Sequence, residues 1–180
     1  GIVGDNTARA SGVVASAGGG AVLQVKSVQL TSATSRGGTS PAAISDFDIA
    51  FTPTAANSVL CLHLCMQVSS ASGEPVGGYF YDSTGAAKIQ PYGDAEGSRY
   101  RLSYYSCVDL NHLSNPLIFT AWFTPGDTTT RTIQVWGASG TSPLYINQTK
   151  SSSDSASMNY ARSASSFTIT EYDGSIVTIA

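Results

Sequence analysis

From Val22 onward the chain is a succession of short runs in which apolar residues recur at every second position, separated by Gly, Pro, Asn and Asp turn residues. Val22–Leu30 is β-branched and partly alternating, and a loop from Thr31 to Pro41 follows it. In the segment Ile44–Phe51, Phe47, Ile49 and Phe51 alternate with Asp46, Asp48 and Ala50, which predicts a half-buried strand with one wet face. Thr52-Pro53 ends it. Val59–Val68 is the most apolar run: Leu60, Leu62, Leu64, Met66 and Val68 share one face, and Cys61, His63, Cys65 and Gln67 the other. Both faces suit burial, as in a central strand or one pressed against a neighbouring subunit.

Further strands are predicted at Gly77–Tyr81, Lys88-Ile89, Ser98–Val108, Leu117–Phe123, Thr130–Trp136, Leu144–Thr149, Ser166–Tyr172 and Ile176–Ile179. The turns Asp82–Gly85, Pro125-Gly126-Asp127 and Asp173-Gly174 punctuate them, and Lys150–Ser166 reads as a polar loop. About nine or ten strands with no helical periodicity predict an all-β fold, an antiparallel β-sandwich or jelly-roll-like head. The stretch 1–20 is small and polar and ends Gly18-Gly19-Gly20, so it reads as an extended linker or arm. Residues 21–180 then form a single sandwich domain, and the opening Gly1 suggests a fragment or processed product.

Composition narrows the function classes. Ser and Thr make up a quarter of the 180 residues, whereas Asp, Glu, Lys and Arg together make 12%. The net charge is −3 with no basic run, which argues against an electrostatic grip on nucleic acid. No stretch approaches the ~20 apolar residues of a membrane-spanning helix, so no membrane insertion is expected. Three cysteines, Cys61, Cys65 and Cys107, are too few and too odd in number for a disulfide scaffold, and read as buried thiols.

Chemistry-bearing candidates are sparse. Cys61, His63 and Cys65 on one strand face are residue types that zinc accepts, yet no second ligand pair follows and no metal is expected. A three-fold oligomer would still gather three copies of His63 on its axis. The nucleophile elbow GxSxG is absent, and the members of the pairs Asp46/Asp48 and Asp94/Glu96 lie two apart, facing one way within a strand, whereas a glycosidase sets two carboxyls across a cleft, normally from different strands. Neither a catalytic residue nor a cofactor is expected. Asp94 and Glu96 lie in the turn-rich Pro91–Gly97, where they read as a solvated loop or as polar contacts to a sugar or ion with Tyr92 as a stacking surface. Tyr160 is a second loop-borne aromatic candidate. The adjacent Tyr104 and Tyr105 point to opposite faces, so one of them is a candidate for core or interface. Asn147-x-Thr149 is a glycosylation sequon.

Several short elements occur in a characteristic order. A "TP…S" turn, Thr52 to Ser58, precedes the apolar Val59–Leu62, and a Gly-Asp-Ala-x-Gly-x-Arg element spans Gly93 to Arg99. A "TYxV"-like strand at Arg131–Trp136, a "G…LYIN" element from Gly140 to Asn147 and a terminal "SSxTxxE" strand from Ser165 to Glu171 complete the series. In these elements the chain from Val22 onward resembles the C-terminal head domains of bacteriophage tail-fibre and related virion proteins. It departs from them at Gln148 and at Cys61, His63 and Cys65, where aliphatic residues are usual. The resemblance implies a homotrimeric, non-enzymatic head at the tip of a virion tail fibre or spike, binding a host-surface glycan or protein. It places Tyr92, Asp94, Glu96, Arg99 and Tyr160 as receptor-binding candidates, and Cys61, His63, Cys65 and Tyr104 as trimer-interface candidates. The arm over 1–20 would join the rest of the fibre. The competing expectations are a capsid decoration or structural jelly-roll protein, and a monomeric carbohydrate-binding module or glycan-cleaving enzyme. Arg9 as the one basic residue of the first twenty argues against an RNA-packaging coat.

Overall fold

The computed structural model describes residues 22–71, 73–108, 114–151, 156–157, 161–177 and 179. The expected arm over 1–20 and Tyr160 lie outside them. Among the described residues twelve strands follow in order: β1 (Val22–Leu30), β2 (Thr34–Arg36), β3 (Ala42–Ala43), β4 (Ile49–Phe51), β5 (Val59–Ser69), β6 (Glu74–Asp82), β7 (Ala87–Lys88), β8 (Tyr104–Val108), β9 (Asn115–Phe123), β10 (Arg131–Ser139), β11 (Leu144–Ile146) and β12 (Ser165–Tyr172). All pairings are antiparallel and build two sheets.

The first sheet runs β1-β12-β5-β9, with β11 pairing β5 just beyond the end of β12 and β2 at the edge of β11. In the second, β10 lies between β6 and the short β3 and β4, and the far edge of β6 is shared by β7 and β8. From β5 onward the long strands β5, β6, β9, β10 and β12 alternate between the sheets, and β12 returns to lie between β1 and β5, the connectivity of a jelly roll. Strand alternation supplies the core. Leu60, Leu62, Leu64, Met66 and Val68 of β5 are fully buried against Phe80 of β6, Ile133 and Val135 of β10, and Phe167 and Ile169 of β12. Phe80 stacks on Phe167 at 5.3 Å between ring centres and packs on Phe119 at 5.5 Å, joining the sheets.

Three local expectations change. Ile44–Phe51 is not one strand: Ser45–Phe47 forms a 3-10 turn, closed by Phe47 N–H donating to Ile44 O at 3.0 Å, before β4 begins. Phe47, Ile49 and Phe51 are nonetheless all buried, and Asp46 and Asp48 exposed. Ser98–Val108 pairs as a strand only from Tyr104, because β7 already occupies the edge of β6 at Tyr81 and Asp82. Ile176 follows a turn in which Asp173 accepts from Ser175, and it stands exposed rather than in a strand.

Buried polar joints fasten the sheets. Glu171 is fully buried in β12 and accepts from Gln24 Nε2 at 2.6 Å, Thr54 N–H at 2.6 Å and Thr54 Oγ1 at 2.7 Å. Asn147, also fully buried and left-handed at φ 57°, donates to Leu30 O at 2.6 Å and accepts from Ser165 Oγ at 2.5 Å. Such burial leaves no acceptor for a glycan, so the sequon is structural here. Gly78 has no room for a side chain: a Cβ there would stand 1.8 Å from Trp136 O and 2.3 Å from the Tyr104 hydroxyl. Tyr104 lies across it and donates to Trp136 O at 2.7 Å. Tyr104 is thus buried within the core of the chain, and burial pushes its phenol far above the usual range.

Burial opposes ionisation of Glu171, but hydrogen bonds from Ser58, Gln24 and Thr54 outweigh it and hold the carboxyl below its ordinary value. A depressed carboxylate adds stability above the unfolded-state pKa, and that stability is lost as pH falls through the native value. Glu171→Gln sets an amide donor against these donors and is expected to cost about 2–3 kcal/mol at neutral pH. The gap to the wild type should narrow in acid. Denaturant midpoints at neutral and acid pH measure both, and an equal gap at the two would contradict this account.

Candidate functional site

The outward face of the second sheet is aromatic. Because Phe80, Ile133 and Val135 point to the core, their neighbours Tyr79, Tyr81, Gln134 and Trp136 point the other way. Pairing sets Trp136 opposite Tyr79 and Gln134 opposite Tyr81. The Trp136 ring lies 4.4 Å from that of Tyr81 and 5.6 Å from that of Tyr79. Its orientation is held by the indole N–H donating to Gln134 Oε1 at 3.0 Å, while the Gln134 amide donates to Asp48 at 2.9 Å.

Two cations border this platform. Lys88 pairs with Tyr81 through β7 and places its ammonium 4.3 Å from the Tyr79 ring centre and 6.0 Å from that of Tyr92. The Arg101 guanidinium lies 4.6 Å from the Tyr92 ring centre, and its Nε donates to Gly93 O at 3.0 Å. Lys88 Nζ donates to Arg101 O at 3.4 Å. Burial lowers the Lys88 pKa, and the neighbouring Arg101 charge lowers it further. Among the described residues the ion pairs are Arg99–Glu96, Arg131–Asp82 and Arg131–Asp127, so no carboxylate reaches either Lys88 or Arg101. Beside the platform lies a pocket of about 110 Å³, walled by Tyr100, Leu102, Tyr105 and Pro41 and floored by Gly77. A Cβ on Gly77 would stand 2.8 Å from Leu102 and 2.7 Å from Tyr104 O, so the pocket depends on the glycine.

Of the loop candidates, Tyr92 joins this cluster. Asp94 stands exposed, and Glu96 and Arg99 pair with each other at the surface, satisfying their own charges. Sequence reasoning missed Lys88, Arg101, Tyr81 and Trp136 as one group. The alternation of Tyr79 and Tyr81 was a signal for the outward tyrosines, but only strand register brings Trp136 and Lys88 to them.

The outward face of the first sheet has a different character. Cys61, His63, Cys65 and Gln67 of β5 lie beside Trp122, Thr120, Ile118 and Pro116 of β9 on one side, and beside Thr170, Thr168 and Ser166 of β12 on the other. Val25, Ser27 and Gln29 of β1 extend the row. None of these residues is Asp, Glu, Lys or Arg. Ile118 is 62% exposed, Val25 53% and Trp122 40%, and Trp122 packs on Tyr172 at 5.5 Å. The expected second buried side of β5 is thus uncovered by any described element, with Cys61 and Cys65 half-buried and His63 exposed. Cys107 is exposed, contrary to the expectation of three buried thiols, because it lies on the edge strand β8. His63 Nδ1 is hydrogen-bonded to Thr120 Oγ1 at 2.9 Å, and no three His, Cys, Asp or Glu side chains among the described residues gather to hold a metal.

No family model matches the chain, and no curated protein matches it. Among solved structures it is similar to one of infectious bursal disease virus, Gx strain, at 11% identity and a TM-score of 0.40, covering 83% of this chain and 40% of that one. A mutant VP2 protein of the same virus in derived T=1 particles matches at 10% identity and TM-score 0.36, over 82% of this chain and 36% of that one. The VP2 subviral particle matches at 8% identity and TM-score 0.35, over 84% and 42%. The chain spans about two fifths of the length of these structures. At such scores the likeness carries no argument about this chain's function.

If Arg101 contributes to the depression of the Lys88 pKa, Arg101→Gln should move that pKa part of the way back up, leaving the share due to burial. NMR titration of the Lys88 side-chain methylene signals measures it. An unchanged value would show that the two cations do not act on one another.

Proposed function

We propose that the chain is a non-enzymatic structural module of a virion, a trimeric fibre or spike head that attaches the particle to a host cell surface. The observation that carries this reading is the uncharged outer face of the first sheet. A solvated face of an antiparallel sheet normally alternates to polar and charged residues. Here β1, β12, β5 and β9 together present Trp, Ile, Val, Cys, Pro, Thr, Ser, Gln and a single His.

Interface cores are depleted in charge, and this face shares that property while exposing Trp122, Ile118 and Val25. A second copy of the same chain is the occupant it suits. Identical uncharged faces meet without like-charge repulsion, and an acidic or basic partner would find no counter-charge. The resemblance to tail-fibre heads supplies three as the number of copies and the virion as the setting. The jelly-roll connectivity agrees with that setting, and the quarter of the chain that is Ser and Thr supplies a hydrogen-bonding surface toward a host ligand. A purely structural role within the particle would use the same self-associating face without host binding.

Thiol alkylation tests the assignment of the face. In the native assembly Cys61 and Cys65 are expected to be protected while Cys107 reacts, with all three reacting after unfolding. Ile118→Glu places a charge at the centre of the face and should release both thiols to reagent without loss of fold. Rapid labelling of Cys61 and Cys65 in the wild-type chain at concentrations well above micromolar would contradict the reading.

A further inference from the structure

We infer that the cationic and aromatic cluster on the second sheet is a binding site for an acidic sugar, whose carboxylate sits at Lys88 and Arg101 and whose ring lies against the aromatic platform. The inference deepens the attachment reading and rests on it, since it names the chemistry of the host ligand.

Both cations border the Tyr92 ring, at 6.0 Å for the Lys88 ammonium and 4.6 Å for the Arg101 guanidinium, and no carboxylate among the described residues pairs with either. Each is held by groups other than a carboxylate among the described residues. The Lys88 ammonium is seated on the Tyr79 ring and the Arg101 carbonyl, and the Arg101 guanidinium on the Tyr92 ring and the Gly93 carbonyl. Side chains ordered before binding lose little freedom on binding, so an anion arriving there gains charge-assisted hydrogen bonds at small entropic cost. Both side chains are half-buried, which limits solvent screening of the pair.

A bare inorganic anion would use the cations and leave the rings idle. Tyr81, Trp136 and Tyr92 are partly exposed aromatic residues beside the pair, with Lys88 opposite Tyr81 in the sheet and the Gln134 side chain held against Trp136. Aromatic faces take the flat C–H side of a pyranose, and hydroxyls and amides at the rim take its hydroxyl groups. A nucleic acid or other extended polyanion is disfavoured by the net charge of −3 and the absence of any basic run to follow it. A single carboxylate on a sugar ring matches the two charges and the rings together.

Isothermal titration of the full chain at low salt with glucuronic acid, glucose and inorganic phosphate tests this. Glucuronic acid is expected to bind saturably, with glucose weaker by about tenfold or more, the loss of hydrogen bonds to a charged group. Lys88→Gln and Arg101→Gln should each weaken glucuronic acid by about tenfold and leave the thermal midpoint nearly unchanged. Trp136→Ala should weaken glucuronic acid but not phosphate. Equal binding of glucose and glucuronic acid would overturn the anion site. Equal binding of phosphate and glucuronic acid, indifferent to Trp136→Ala, would overturn the sugar assignment in favour of an anion alone. No binding of any probe would overturn both.

Adsorption to host cells separates this inference from the reading beneath it. Adsorption competed by a glucuronate-bearing polysaccharide supports both. Adsorption that such a polysaccharide does not compete overturns the inference and leaves attachment standing. Glucuronic acid binding without adsorption supports the site and removes attachment.

Discussion

The alternation of side chains along β5 ties the interior of this protein to its exterior. The strand is eleven residues long, and β9 pairs with it from Leu60 to Val68 while β12 pairs with it from Val59 to Cys65. With both edges occupied, it cannot shift register by one residue without sending Leu60, Leu62, Leu64, Met66 and Val68 into water. The same constraint fixes Cys61, His63, Cys65 and Gln67 on the outside and aligns them with the uncharged positions of β9, β12 and β1. The core and the proposed subunit contact are thus two consequences of one register. A helix would not enforce this coupling, because its apolar stripe leaves the remaining surface free to vary.

The short motif elements acquire a physical meaning once the sheets are assembled. Glu171, the last residue of the "SSxTxxE" strand, accepts hydrogen bonds from Thr54 in the "TP…S" turn, 117 positions away. Asn147 of "LYIN" bonds Ser165, the first residue of that same strand, and through Leu30 it reaches the end of β1. Arg131, which opens the "TYxV"-like strand, is held by Asp82 and Asp127. Glu171, Asn147, Ser165 and Asp82 are the buried members of these polar joints where loops meet the sandwich. Buried polar groups need partners in fixed places, which makes such positions informative about fold and silent about ligand.

Legibility in the sequence followed how local each cause was. β1, β5 and β12 were readable to within a residue at their ends because alternation and turn residues are local signals. Ser98 to Ser103 looked like strand for the same reason, and failed because the edge of β6 it would need is held by β7, a fact of tertiary competition. Tyr104 carried no mark of its inward direction until Gly78 was seen to leave space for its ring. Tyr92 stood out as a loop aromatic, whereas Lys88 and Arg101 lie thirteen positions apart and become neighbours only through the path of the chain over β6 and β7. Glu96 and Arg99 lie three positions apart and pair with each other at the exposed surface.

The central claim is that the uncharged outer face of the first sheet is covered by further copies of the chain. Light scattering on the purified chain across a range of concentrations tests it most directly. A mass three times the 18.6 kDa of the chain, persisting on dilution to low micromolar, is the expected result. A mass of 18.6 kDa at every concentration would contradict the claim, since a face carrying Trp122, Ile118 and Val25 would then stand open to water in the free protein.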